Sequence, residues 1–268
     1  MKQSKLATPR RILITGATGG LGAALARLYA GPGVSLALHG RDAAKLEQLA
    51  QDCRRAGAEV ELHEVDLSDS ARLRDWLAGL AAQPAPDLAI VNAGLTSHIG
   101  RTGAGESWPE AEKLLQVNLV AAIALTEALL PGMRKAGRGQ IALISSLSAY
   151  FGLPLTPSYC ASKAGLMAYG EALRGWLAPE GVTVNVVLPG FVRSAMSNRF
   201  PGPKPFMLSP ERAARIIRRG LARDKARIAF PIPLSWAMWW LALLPVDLAT
   251  AILRRTGYAG NAGGSPED

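Results

Sequence analysis

The feature that most constrains the fold of this chain is a repeated alternation of short, largely apolar runs with longer amphipathic stretches. The runs are Arg11 to Thr15, Val34 to Leu38, Val60 to Val65, Leu88 to Val91, Ile141 to Ile144 and Val182 to Leu188. Each is too short for a helix of ordinary length and is bounded by turn residues, so each predicts a strand. Between them lie Leu21–Ala30, Ala43–Ala56, Ser70–Ala81, Pro109–Leu130 and Ser158–Leu177, where apolar residues recur at helical spacing. Strands of this kind need cover on both faces, and helices in the connections supply it. Right-handed crossovers then predict an α/β fold, a doubly wound parallel sheet, with ligands at the carboxyl ends of the strands. Ser107-Trp108-Pro109-Glu110 has the spacing of a capping box at the head of the fourth helix.

No linker rich in proline or glycine divides the chain, so residues 11–230 are expected to form a single domain. Residues 1–10 are then an N-terminal arm, and 231–268 a hydrophobic, partly basic extension ending in a tail. The arm is short and basic and does not read as a secretory signal. Two cysteines, Cys53 and Cys160, make neither a metal cluster nor a disulfide framework, which fits a reducing compartment; no metal site is expected. The formal charge is +9, with much of the excess between Arg212 and Arg227. That stretch reads as a solvated basic helix face, and nucleic acid is not an expected partner because no binding module accompanies it.

Two clusters carry chemistry. Thr15-Gly16-Ala17-Thr18-Gly19-Gly20-Leu21-Gly22 follows the first strand and opens the first helix. Glycines there let the backbone approach a pyrophosphate, which the helix N-terminus attracts. Tyr159 and Lys163, four residues apart, project from one helix face about one turn apart. An ammonium near a phenol favours the phenolate, so Lys163 is expected to lower the Tyr159 pKa from about 10 towards working pH. Tyr159 is thereby a candidate general acid/base at a carbonyl or alcohol oxygen, and Ser146 could hold the same oxygen as charge develops.

The ordered set of motifs resembles the short-chain dehydrogenase/reductase family from Arg11 to about Phe230. Its Thr-Gly-x-x-x-Gly-x-Gly loop is matched by Thr15, Gly16, Gly20 and Gly22, and its Asn-Ala-Gly by Asn92, Ala93 and Gly94. Its active-site asparagine falls on Asn118, its serine on Ser146, its Tyr-x-x-x-Lys on Tyr159 and Lys163, and its Pro-Gly on Pro189 and Gly190. The resemblance implies that Tyr159 is the acid/base, that Ser146 steadies substrate, and that Lys163 binds the nicotinamide ribose. It also implies that Asn118 holds a water in the proton relay. Cofactor contacts would come from Gly16, Thr18, Gly20, Leu21 and Gly22, from Asn92, Ala93 and Gly94, and from the stretch Pro189, Gly190, Val192 and Ser194. Asp66 and Leu67 resemble the adenine contact, although Asp66 could equally cap a helix. Gly40 holds the place where NAD-preferring relatives put an acidic residue, and Arg41 follows it. A guanidinium suits a 2′-phosphate, so NADP(H) is expected in preference to NAD(H), with Asp42 capping the next helix as the plain alternative.

Residues 191–210 stand where relatives carry a substrate lid, and their apolar content points to a hydrophobic substrate. Ile228 to Val246 holds no charged residue and carries Trp236, Trp239 and Trp240. Prolines leave it too short to cross a bilayer of roughly 30 Å. It is expected to lie on a membrane surface or to open the site to a lipid-like ketone, with packing on its own domain or a second subunit as the plain alternative. Together these observations predict an NADP(H)-dependent enzyme interconverting a ketone and a secondary alcohol on a hydrophobic or acyl-chain substrate. The chain is expected to be cytoplasmic, a homo-oligomer, and open to peripheral membrane contact. Glycines 16, 19 and 22 also fit the spacing of the family's epimerase-like branch. A nucleotide-sugar epimerase or dehydratase, or a non-catalytic dinucleotide-binding protein, are therefore the rival readings.

Overall fold

The computed structural model describes residues 9–99 and 105–258; most of the expected N-terminal arm and the tail from residue 259 lie outside the described residues. Among the described residues the chain runs β1 (Arg11–Ile14), α1 (Gly20–Tyr29), β2 (Ser35–Gly40), α2 (Ala43–Arg55), β3 (Glu59–Glu64), α3 (Ser70–Ala81) and β4 (Leu88–Val91). It continues through α4 (Trp108–Leu115), a π-helical turn (Gln116–Val120), α5 (Ala121–Ala136), β5 (Gly139–Ile144), α6 (Pro157–Leu177) and β6 (Val182–Pro189). The last elements are α7 (Ala195–Arg199), α8 (Pro210–Leu221), β7 (Arg227–Phe230), α9 (Ile232–Leu241) and α10 (Val246–Arg255).

The seven described strands form one sheet in the order β3-β2-β1-β4-β5-β6-β7, with every neighbouring pair parallel. The order reverses between β1 and β4, which opens a crevice at the carboxyl edge there. Alternation within each strand feeds two buried layers. Ile12, Ile14, Leu88, Ile90, Ala142 and Ile144 pack with α1, α2 and α8 on one face. Leu13, Ala89, Val91, Ile141 and Leu143 pack with α3, α5 and α6 on the other. Edge strand β3 is the least buried of the strands, with Glu59, Glu61 and Glu64 exposed and its other residues half-buried.

Three local expectations are revised. The fourth helix does not stop at Leu130: α4, the π turn and α5 run on from Trp108 to Ala136. By length and composition that rod could cross a membrane, but half of its apolar window is buried inside the molecule. Ser107 stands at its N-cap position without a capping hydrogen bond, and Pro109 removes one of the amides such a cap could meet. β7 and α8 had no counterpart among the expected elements. Arginines dominate α8, but Ala213, Ala214, Ile217 and Leu221 give it a buried stripe, with Arg212, Arg215, Arg218 and Arg219 on the solvated side.

Candidate active site

The glycine loop turns sharply after β1. Gly16 takes a left-handed φ of 63°, and a Cβ there would approach the Ala93 Cα to 2.8 Å. A Cβ on Gly22 would stand 2.2 Å from the Gly16 carbonyl oxygen, so helix and loop close up only around glycine. Asn92 braces the turn: its Nδ2 donates to the carbonyls of Thr15 at 2.9 Å and Gly16 at 3.1 Å. The Thr15 hydroxyl accepts from the amides of Asn92 at 2.9 Å and Ala93 at 3.0 Å, tying the end of β1 to the end of β4. α1 begins without a side-chain cap and without an acidic residue in its first turn. Its N-terminal amides therefore face the crevice as anion donors.

On the other side of the crevice, β5 holds the head of α6. The Ser145 hydroxyl donates to the Lys163 carbonyl at 2.7 Å, and Lys163 Nζ donates to the Ile144 carbonyl at 2.9 Å. Lys163 Nζ lies 5.7 Å from the centroid of the Tyr159 ring. The Ser146 hydroxyl caps the short turn Leu147–Ala149 by accepting from the Ser148 amide at 3.2 Å. Burial pushes the Tyr159 phenol up to about 12, and a hydrogen bond from Ser146 draws it partly back. Burial also pushes the Lys163 ammonium down to about 8. The expected lowering of the Tyr159 pKa by Lys163 is therefore not what this structure gives. Taking a phenolate out of water costs more than the Ser146 hydrogen bond returns. At neutral pH Tyr159 is a phenol and Lys163 an ammonium, the pairing a proton donor needs.

One cleft of about 1230 Å³ joins these parts. It is lined by Gly16, Thr18, Gly20, Leu21 and Gly22, by Arg41, Asp66 and Leu67, and by Asn92, Ala93 and Gly94. Ser146, Tyr159, Lys163, Pro189, Gly190, Val192 and Ser194 complete the expected set on its walls. Asn118 is the exception. It is fully buried in the π turn, where its Oδ1 accepts from the Leu95 amide at 2.7 Å. Its Nδ2 donates to the Leu95 carbonyl at 3.0 Å and to the Ser162 hydroxyl at 3.1 Å, so both N–H donors are taken. Asp66 does not cap a helix: it accepts from the Ser68 amide and hydroxyl, while Asp69 caps α3. Asp42 does cap α2, accepting from the Lys45 amide at 3.0 Å. Ser194 caps α7 in a reciprocal pair with Ser197.

Sequence reasoning passed over several cleft residues. Lys45 stands one helical turn beyond Arg41 and pairs with Asp42 at 2.7 Å, so the rim at the end of β2 carries two cations. His39 supports the loop from beneath. The C-terminal extension reaches the site, one of the alternatives its sequence offered: Leu234, Met238, Trp240, Leu241, Leu244, Ile252 and Leu253 of α9–α10 and their link wall the cleft's apolar half. The expected lid segment closes the same half. Val192 bridges Leu208 in parallel, and Phe200 packs between Phe191 and Tyr258 at ring distances of 5.2 and 6.2 Å.

The sequence pattern of the short chain dehydrogenase family matches residues 10–203. An uncharacterised oxidoreductase of Myxococcus xanthus is 33% identical over 248 residues, 92% of this chain and 97% of that protein. The ketoacyl reductase HetN of Nostoc sp. is 33% identical over 201 residues, covering 74% of this chain and 69% of its own. Among solved structures, a short-chain dehydrogenase from Sphingobium yanoikuyae in complex with NADPH superposes with a TM-score of 0.78 at 27% identity, over 96% of this chain and 98% of that one. A seven-stranded doubly wound sheet, a glycine loop braced by Asn92, and a tyrosine and lysine at the head of α6 thus coincide with a match spanning most of the chain. The chain belongs to the short-chain dehydrogenase/reductase family of enzymes.

Proposed function

We propose that this chain is an NADP(H)-dependent oxidoreductase interconverting a ketone and a secondary alcohol on a hydrophobic or acyl-chain substrate. The observation that carries the reading is a single cleft with two halves. One half holds the glycine loop with Arg41 and Lys45; the other is apolar, and Tyr159, Ser146 and Lys163 stand where they meet. The uncapped N-terminus of α1 suits a pyrophosphate, and Arg41 at the end of β2, beside a Lys45 held by Asp42, suits a 2′-phosphate. The Sphingobium yanoikuyae relative binds NADPH and the Nostoc relative is a ketoacyl reductase, and both fit this reading.

When bound, NADP(H) would supply or accept the hydride. Tyr159, protonated at neutral pH, gives its proton to the carbonyl oxygen in reduction and takes it back in oxidation. Ser146 donates a hydrogen bond to the same oxygen as charge grows there. The Lys163 ammonium, fixed by the Ile144 carbonyl, favours the phenolate that Tyr159 leaves behind. Asn118 acts as a positioning residue, locking the Leu95 backbone to Ser162 of the helix that bears Tyr159 and Lys163. The same reading has the chain in the cytoplasm, paired with a second copy through the helices of Asn118 and Tyr159, where Trp108 and Trp176 are exposed. It also gives the C-terminal extension a peripheral membrane contact.

Fluorescence titration with NADPH and NADH tests the cofactor. Arg41→Ala is expected to weaken NADPH by about tenfold and leave NADH unchanged. Net consumption of NADPH with an apolar ketone separates reduction from epimerisation, which returns its cofactor. Tyr159→Phe is expected to lower that turnover by at least about 100-fold with NADPH binding retained. A wild-type chain that binds neither nucleotide would sink the reading.

A further inference from the structure

After β7 the chain forms α9 and α10, and their outer side is apolar. Trp236 is 61% exposed and Val246 68%, with Trp239, Leu243 and Leu248 also open to solvent. Within α9 no residue is charged and only Met238 is buried. A helix apolar on every face belongs in a protein core or against lipid, and water is a poor neighbour for either. The tryptophans form a continuous edge-to-face ridge, Trp236 to Trp239 at 6.4 Å and Trp239 to Trp240 at 5.3 Å.

The second observation links this face to the site. Trp240 and Ile252 line the cleft and are also exposed on the outside, and Leu244 between them is half-open. The apolar end of the cleft therefore opens in the middle of the apolar face. Cations border it: Arg254 and Arg255 end α10, and Arg199 lines the cleft from the lid segment, all three exposed. Leu248, Ile252 and Arg255 follow at intervals of four and three residues, so apolar and cationic groups share one helix stripe.

We propose that the α9–α10 face docks on the interfacial layer of an anionic phospholipid bilayer, with the mouth of the cleft turned to the lipid. The inference rests on the apolar substrate class proposed above. Tryptophans settle at headgroup level, leucine and valine enter the acyl boundary, and arginines meet lipid phosphates. A second copy of the chain seated here would cover the mouth at Trp240, Leu244 and Ile252. A bilayer leaves the mouth open to whatever dissolves in it.

The test is sedimentation of the whole protein, saturated with NADPH, with vesicles of phosphatidylcholine alone and of phosphatidylcholine mixed with phosphatidylglycerol. The wild-type chain is expected to sediment with the anionic vesicles, less so as salt rises, and its tryptophan emission to shift to the blue. Trp236→Ser with Leu248→Ser, neither residue lining the cleft, is expected to weaken partition by at least about tenfold at unchanged NADPH affinity. A wild-type chain that stays in solution with both vesicle types overturns the proposal, as does a double variant that sediments like wild type. A dimer that the double variant breaks, without vesicle binding, gives the face to a second copy and also overturns it. Sedimentation needs no turnover. Vesicle binding without any ketone reduction would therefore leave the docking standing and remove the oxidoreductase reading instead.

Discussion

His39 is buried beneath the glycine loop, 2% exposed, with the Trp76 ring 4.8 Å from its own. The Gly16 amide donates to its Nδ1 at 3.4 Å, which leaves the proton on Nε2 to be donated to the Val65 carbonyl at 3.0 Å. One neutral tautomer thus ties the phosphate-binding turn to the end of β3. Burial pushes His39 down to about 4; the Val65 carbonyl and Asp66 pull the other way, while His63 and Arg41 add to the lowering. A folded-state value below the unfolded 6.5 means the unfolded chain binds the extra proton. The stability tied to neutral His39 is full above pH 6.5 and is lost as pH falls towards about 4, on the order of 3 kcal/mol. Urea unfolding between pH 7 and 4 should show that slope, and His39→Asn should flatten it; an unchanged slope would refute the assignment. Tyr159 shows the same physics at the reaction centre, where burial outweighs the Ser146 hydrogen bond. The four-residue spacing with Lys163 is visible in the chain, but the polarity around it depends on what β5 and the lid segment bring near.

At the scale of elements, α6 matters most, because its first turns carry Tyr159 and Lys163 and no side chain of its own N-cap residue closes its end. Glu106 closes it from a distant part of the chain. Its Oε2 accepts from the Ser158 amide at 2.9 Å and from the Ser158 hydroxyl, and its Oε1 accepts from the Ser97 hydroxyl. One carboxylate therefore pins the loop after β4 to the head of α6, one residue before Tyr159. Glu106→Ala is expected to cost about 1–3 kcal/mol in chemical denaturation, with Glu106→Gln recovering part of it through its remaining acceptor. Turnover should fall severalfold in the alanine variant while NADPH affinity holds. A stability loss with unchanged turnover would make Glu106 structural only. The π turn at Gln116–Val120 works to the same end, seating Asn118 between Leu95 and Ser162. Neither device was visible as a pattern, since Glu106 and Ser158 are 52 residues apart and a π turn has no periodic signature.

At the scale of the whole molecule, the cleft's two halves are built by different parts of the chain. The cofactor-type half comes from β1, β2 and β4 with their turns, and the apolar half from the lid segment and α9–α10. Substitutions in the second half should therefore change substrate use without touching the first. Leu244→Glu is expected to lower kcat/KM for a long-chain ketone by about tenfold or more, to change a small ketone far less, and to leave NADPH binding intact. Equal losses on both ketones would refute the division. The doubly wound sheet was legible from the alternation of apolar runs and helices because burial on two faces writes itself into local composition, as Ile12, Leu13 and Ile14 illustrate. The glycine loop was legible because Gly22 answers to the Gly16 carbonyl six residues away and Gly16 to its own left-handed φ, both local demands. β7 and α8 were not, since short or arginine-rich segments carry little periodic signal of their own, and the uncharged, tryptophan-rich extension left its place at the cleft as one alternative among several. By itself the sequence determined the strand-and-helix order through β6, the family motifs and the residue types at the site, all of which follow from local periodicity and spacing. Only the tertiary structure decided that Tyr159 is buried enough to stay protonated, that the Asn118 amide is spent on Leu95 and Ser162, and which residues of α9–α10 line the cleft. Dielectric environment and distant packing are set by which residues meet in space, and chain order does not encode that locally.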